Sequence, residues 1–141
     1  MEFPYITASL AAFLMILQQL LMLSVGIYRT KIKVGIGIAD DPYLEQKIRR
    51  HGNLAENSAL FLVVLGVTEL MAVSGSAVFW FAIFFALVRV SHALGFSHLD
   101  GAQGNIKGNK LFLVLRVLGA MGTGWGGLAL GGYLAYQLLS Q

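Results

Sequence analysis

Charge is absent from three long stretches of this chain, and those gaps dictate most of what it can fold into. Phe3–Tyr28, Leu70–Val88 and Val117–Gln141 contain no Asp, Glu, Lys or Arg. Each is close to or above the roughly 20 residues that carry a helix across a bilayer. A fourth apolar stretch, Asn57–Thr68, is bracketed by Glu56 and Glu69 and is too short to span alone. Extended back through Asn53 and Arg49, it becomes a helix of adequate length with an ionisable N-terminal third. Four transmembrane helices are therefore predicted, over about residues 5–28, 46–72, 76–97 and 111–138.

Composition points the same way. Of 141 residues, 57% are hydrophobic and 12% charged, against about 25% charged in a soluble domain. Mean hydropathy is +0.72. With no cysteine, a disulfide scaffold, a thiolate-zinc site and a cysteine nucleophile are excluded. A net charge of only +3 on an apolar, aromatic background argues against a nucleic-acid binder. The expected class is an all-α integral membrane four-helix bundle, with residues 1–141 forming one four-span domain. The first span does not read as a cleaved signal peptide. Met1-Glu2-Phe3-Pro4 offers no basic n-region, and the apolar run that follows outlasts an h-region. Gln18 and Gln19 interrupt that run without ending it.

The basic residues orient the spans. Arg29, Lys31, Lys33, Lys47, Arg49 and Arg50 follow the first span, and Arg89, Lys107, Lys110 and Arg116 surround the third connection. The N-terminal segment, the turn near Ser74-Gly75-Ser76 and the C-terminal tail carry none. The positive-inside rule then puts the first and third connections in the cytoplasm and both termini on the opposite side. In the last span, Gly122 and Gly126, and Gly127 and Gly131, are each four apart. Small residues at that spacing let helix backbones approach closely, either within one bundle or between copies of the chain.

Chemistry has to sit where ionisable groups enter the membrane. Glu45, Arg49, Asn53 and Glu56 fall at i, i+4, i+8 and i+11, on one helical face. Such groups are costly in hydrocarbon, so they face protein, water or a ligand. Two readings stay open: a ligand site, or a polar staple in which Arg49 satisfies Glu56 with Asn53 between them. A second cluster, Arg89, His92 and Phe96, also shares a face. Taken alone it reads better as a snorkelling arginine and a histidine capping carbonyls than as a ligand site. Arg116 at the start of the fourth span and Arg29 at the end of the first carry the same ambiguity. Together, however, the four spans bring Arg29, Arg49, Arg89 and Arg116 to one membrane face, and few acids lie nearby. That surplus of permanently charged guanidinium groups suggests an anionic ligand. His51 and His98 have no carboxylates at ligand spacing and make a poor metal site.

The pattern Glu45-xxx-Arg49-xxx-Asn53-xx-Glu56 leading into an apolar helix resembles the signature of the MAPEG family, the membrane-associated proteins in eicosanoid and glutathione metabolism. Arg29 before a basic turn and Arg89-xx-His92-xxx-Phe96 on the third span fit the same resemblance, which covers nearly the whole chain and is strongest to the small bacterial branch. It implies a homotrimer in a bacterial inner membrane that binds glutathione between subunits near the cytoplasmic face. Arg49, Asn53 and Glu56 would hold the tripeptide, with Arg89 and His92 as further binding residues. Arg49 suits a carboxylate, Glu56 the free ammonium, and Asn53 can donate or accept. The implied mechanism is thiolate activation by an arginine early in the fourth span, here Arg116, with Arg29 as a second electrostatic group or proton donor. A nearby guanidinium lowers a thiol pKa from its usual value of about 8.5. The sulfur would attack a lipophilic electrophile, or reduce a lipid hydroperoxide, arriving through the bilayer.

The chain departs from the family pattern in three places. Asn57 follows Glu56 where several members have an aromatic residue, and Phe96 stands where tyrosine is common. The glycine-rich connection Ser97–Asn109 leaves Lys107 and Lys110 as alternatives to Arg116 near the sulfur. Three functions are in view: a glutathione transferase or peroxidase, a non-catalytic glutathione- or lipid-binding scaffold of the same fold, and a small four-span drug exporter. The exporter requires a carboxylate in the first span, and Phe3–Tyr28 has none.

Overall fold

The computed structural model describes residues 3–71 and 74–140, and it is all-α. Four helices are long and apolar enough to cross a membrane: α1 (Tyr5–Ile32), α2 (Pro42–Leu70), α3 (Gly75–Gly95) and α5 (Lys110–Leu139). A short helix, α4 (Leu99–Gln103), lies in the third connection. The protein is a multi-pass integral membrane bundle.

The helix ends differ from the sequence expectation by up to a turn, for local reasons. α1 runs on to Ile32 because Arg29 and Lys31 occupy its last turn, where cations complement the helix dipole. It stops at Lys33, which turns left-handed (φ 58°) while its amide bonds back to Arg29 and Thr30. α2 starts at Pro42, a full turn before residue 46. The Asp41 carboxylate accepts from the Tyr43 and Leu44 amides, and Pro42, with no N–H to lose, follows it at the first helical position. The predicted end of this span at residue 72 lies outside the described residues. α3 ends at Gly95 rather than 97, and the glycine-rich connection that follows contains α4. His98 caps α4 at its start, and Gly104 (φ 69°) ends it.

The core is assembled from residues recurring every three to four positions. Leu10, Leu14 and Leu21 of α1 meet Leu54, Phe61 and Leu65 of α2, and Val78, Ala82 and Phe85 of α3. Phe61 and Phe85 stack with ring centres 3.7 Å apart. The outer faces remain apolar, with Ile16, Leu23, Leu60, Leu87 and Leu118 all exposed to the surroundings, as hydrocarbon requires.

α5 is seated on α3 through glycine. A Cβ at Gly119 would come within 2.5 Å of the His92 backbone nitrogen, and one at Gly122 within 2.5 Å of the Val88 side chain. Gly126 meets Phe84 in the same way, so these glycines serve packing inside the bundle. Gly127 and Gly131 have nothing within 4 Å and face outward.

Two long-range hydrogen bonds tie the start of α1 to the end of α2 at the membrane face opposite the basic one. α1 has no side-chain cap of its own. Glu69, near the end of α2, supplies it, accepting from the Ile6 and Thr7 amides at 2.9 and 2.8 Å. A carboxylate there satisfies orphan N–H groups and complements the positive end of the helix.

Candidate functional site

The Asp41 cap and Pro42 set the phase of α2, and that phase decides where its ionisable residues point. Arg49 and Glu56 are exposed on the isolated chain and Asn53 is half-buried. The Asn53 carboxamide donates to the Arg49 carbonyl at 2.8 Å, and Asn57 repeats the motif onto the Asn53 carbonyl at 2.8 Å. Glu56 leans back over Gly52, where an added Cβ would stand 3.6 Å from Oε1. Among the described residues, no Lys or Arg lies within 4 Å of a carboxylate, and the one close approach of a basic side chain to an acid is His98 Nδ1 to Asp100 at 3.4 Å. Arg49 and Glu56 therefore do not neutralise each other, and the polar-staple reading is not what this chain builds.

Two cavities flank that face. Towards the basic membrane surface, about 290 Å³ is enclosed by Glu45, Gln46, Arg49, Phe96, Leu99 and Gln103. Towards the hydrocarbon, about 400 Å³ is lined by Glu56, Asn57, Phe61, Val64 and Phe85, with Gly124 and Gly127 of α5 as its floor. The first is as polar as apolar and the second mainly apolar. The Arg49–Glu56 segment joins a hydrophilic chamber to a lipophilic groove.

Arg89 and His92 lie elsewhere. Arg89 is 2% exposed, so it does not snorkel. Nη2 donates to the Asn53 carbonyl at 2.8 Å and Nη1 to the Thr123 hydroxyl at 2.9 Å, joining α2, α3 and α5 from within. Its Nε–H is buried without a partner. An inward arginine with no carboxylate is costly, and the carbonyl it grips belongs to the central residue of the α2 polar face. His92 is 5% exposed. It caps no carbonyl; its ring stacks on Phe96 with centres 4.8 Å apart, and its Nδ1 has no partner.

Arg116 holds its guanidinium 5.0 Å from the centre of the Phe96 ring and donates from Nη1 to the Gly101 carbonyl of α4 at 3.0 Å. Arg29 donates weakly to the Val34 carbonyl at 3.4 Å, within its own connection. Neither lines either cavity. The single chain thus sets Arg49, Asn53 and Glu56 along one helix and keeps Arg116 behind Phe96, outside the lining of either cavity, as is Arg29.

Several residues that shape the site gave no signal of that role. Gln46 is buried and donates to the Phe96 carbonyl at 2.6 Å, fixing the α3–α4 junction against α2. Thr123 receives Arg89 while donating to Gly119. Asp100 organises the glycine-rich connection by accepting from the Asn109 amide at 2.9 Å and the Asn105 carboxamide at 3.0 Å. These bonds hold its carboxyl below the ordinary carboxylate range. At Asp41, desolvation pushes the carboxyl up, but the Leu44 amide, the Tyr28 hydroxyl and the Tyr43 amide outweigh it and hold the group low. The Asp-Pro pair at 41–42 was a readable helix-start signal. Gln46 and Thr123 were ordinary polar residues until their partners were placed. Among the described residues, no three His, Asp or Glu side chains gather as metal ligands.

Fold and site define a four-span membrane protein whose second helix presents an unpaired cation, amide and carboxylate between a polar chamber and an apolar groove. The chain belongs to the MAPEG family, whose model matches residues 7–134. A comparison with curated proteins gave no match.

Proposed function

We propose that this MAPEG-family protein is a glutathione-dependent transferase or peroxidase acting on lipophilic electrophiles. It would work as a homotrimer of single-domain, four-span subunits in a bacterial inner membrane, with its basic face to the cytoplasm. The observation that carries the reading is the α2 face itself: Arg49 and Glu56 are exposed, unpaired and separated by seven residues. Seven helical residues rise about 10.5 Å; glutathione, γ-linked at its glutamate and so longer than an α-tripeptide of about 10–11 Å, covers that distance without being fully extended. Arg49 then suits the glycine carboxylate of glutathione and Glu56 its ammonium, with Asn53 at the level of the cysteine. Arg89 acts on this set from behind, by gripping the Asn53 carbonyl, and His92 supports Phe96 at the chamber wall.

Glutathione supplies the nucleophilic thiol. A guanidinium beside it favours the thiolate. Attack on an electrophilic carbon forms the S–C bond, and the displaced electron pair takes up the proton on the leaving atom. The groove beginning at Glu56 would deliver the electrophile from the bilayer. Arg116 lines neither cavity of its own chain, so it would reach the sulfur across a subunit boundary, with Arg29 as a second positive group. A glutathione-binding protein without turnover is favoured by one observation: the Arg116 guanidinium is already engaged by Phe96 and Gly101.

Calorimetric titration of glutathione into detergent-purified protein tests binding. Saturable binding lost in Arg49→Ala and Glu56→Ala supports the site, and no binding at millimolar concentration removes it. Thiolate ultraviolet absorbance then separates the two functions. Wild type should show it on adding glutathione and Arg116→Ala should not. Its absence from both would leave the non-catalytic reading.

A further inference from the structure

The first turns of α2 carry a second polar face. At about 100° per residue, Tyr43, Lys47 and Arg50 cluster on a face roughly 100–180° round the helix from Arg49 and Glu56. They line a second cavity of about 180 Å³, bounded by Ser97 and His98 at the α3–α4 junction, with Gln46 and Leu99 forming the wall it shares with the Arg49 chamber. Lys47 Nζ stands 5.5 Å from the centre of the Tyr28 ring, a cation–π contact that leaves its charge uncompensated. Arg50 reaches the Ser24 hydroxyl from Nη2 at a long 3.4 Å, and its Nε–H is buried without a partner.

Glu45 lines the Arg49 cavity rather than this one, and the other nearby acids, Asp41 and Asp100, are committed elsewhere. Asp41 is held by the Tyr28 hydroxyl and the Tyr43 and Leu44 amides. Asp100 is held by Asn105, Asn109 and His98. Neither forms an ion pair with Lys47 or Arg50. Two cations one helical turn apart thus face a cavity with no counter-charge, and one of them keeps a buried donor free. Leaving such a donor unmet is costly, and an anion with several acceptor oxygens removes the cost.

The depth of the cavity selects the anion. Ser24 and Tyr28 belong to the last turns of α1, Tyr43–Arg50 to the first turns of α2, and Ser97 lies just past the end of α3. This is the headgroup layer at the basic membrane face. Leu20 and Ile27, four before and three after Ser24 on α1, are exposed and apolar, so a surface for an acyl chain leads away from the cavity. We propose that this cavity binds the phosphate of an anionic phospholipid. Arg50 and Lys47 donate to the phosphodiester oxygens, the Tyr43 hydroxyl lies at the rim, and one acyl chain runs along α1 past Leu20 and Ile27. The site is distinct from the Arg49–Glu56 face and does not depend on glutathione chemistry.

Native mass spectrometry of the detergent-purified protein, titrated with phosphatidylglycerol or phosphatidylcholine, tests this. The expected result is one tightly retained phosphatidylglycerol per chain, at concentrations where phosphatidylcholine is not retained. Lys47→Gln/Arg50→Gln should weaken that retention by about tenfold or more. Lys31→Gln/Lys33→Gln, which removes the same charge from the exposed end of α1, should change it less than about twofold. Ser97→Phe fills the cavity with every charge in place and should also abolish retention, which keeps the test decisive if the double variant misfolds. Equal losses in the two double variants would show a diffuse surface field and overturn the site. Displacement of the lipid by millimolar inorganic phosphate or glutathione would assign the cavity to a small soluble anion and overturn the lipid.

Discussion

If Arg49 holds the glycine carboxylate of glutathione while Glu56 holds its ammonium, the two contacts can be removed independently from either side. The perturbation pairs Arg49→Ala with glutathione glycinamide (γ-glutamylcysteinylglycinamide), which keeps the glycine and ends on a neutral carboxamide. Arg49 and Glu56 are about 10.5 Å apart along the helix axis, and no ion pair couples them. Sites that far apart with no shared partner are close to additive. A hydrogen bond to a charged group contributes about 1.5–3 kcal/mol, which is about 10- to 150-fold in Kd. Both side chains are exposed on the single chain, so the lower half of that range is expected unless a neighbouring subunit excludes water.

Calorimetry with both ligands on wild type, Arg49→Ala, Glu56→Ala and the double variant completes the cycle. Arg49→Ala should weaken glutathione by about tenfold or more and leave the amide nearly unaffected. Glu56→Ala should weaken both ligands alike, and the double variant should equal the sum in free energy. Equal weakening of both ligands by Arg49→Ala would refute the assignment of Arg49 to the glycine end. It would also remove the argument from helical spacing.

The glycines of α5 make a second contrast. Gly119→Ala drives a Cβ into the His92 backbone and should destabilise by about 1–3 kcal/mol, whereas Gly127→Ala meets nothing and should be neutral or gain up to about 1 kcal/mol. Equal melting temperatures in detergent would contradict the seating of α5 on α3. Glu69→Ala should cost about 1–2 kcal/mol and speed hydrogen exchange at the Ile6 and Thr7 amides; unchanged exchange at those two positions would rule out the cap. Asp41 has a folded-state pKa below its ordinary value of 3.8. Its stabilisation is therefore complete above about that pH and is lost as pH falls through the lower, folded value. Asp41→Asn keeps a capping oxygen and removes the titration, so it should flatten this acid limb of the thermal-stability profile.

The number of spans, their approximate positions and the polar face of α2 were all readable from residue order. They rest on local quantities: the length of uncharged runs, the helical period and the cost of charge in hydrocarbon. Helix ends depart from those runs by up to a turn where capping chemistry extends a helix beyond its uncharged stretch, as at Asp41-Pro42. The same period that put Arg49, Asn53 and Glu56 on one side also put Arg89, His92 and Phe96 on one side of α3. It could not say which way that side faced.

Facing was a tertiary outcome. Arg89 turns inward because Gly119 and Gly122 let α5 approach α3 closely enough to offer the Thr123 hydroxyl, while α2 offers the Asn53 carbonyl. Arg116 is held by the Gly101 carbonyl of a helix that residue order did not announce. Glu69 finds its amides 63 residues away, across the bundle. Periodicity and hydrophobicity are properties of neighbouring residues, so one chain's letters carry them. The partner of a buried charge depends on how closely two backbones pack, and that is decided only when the helices meet.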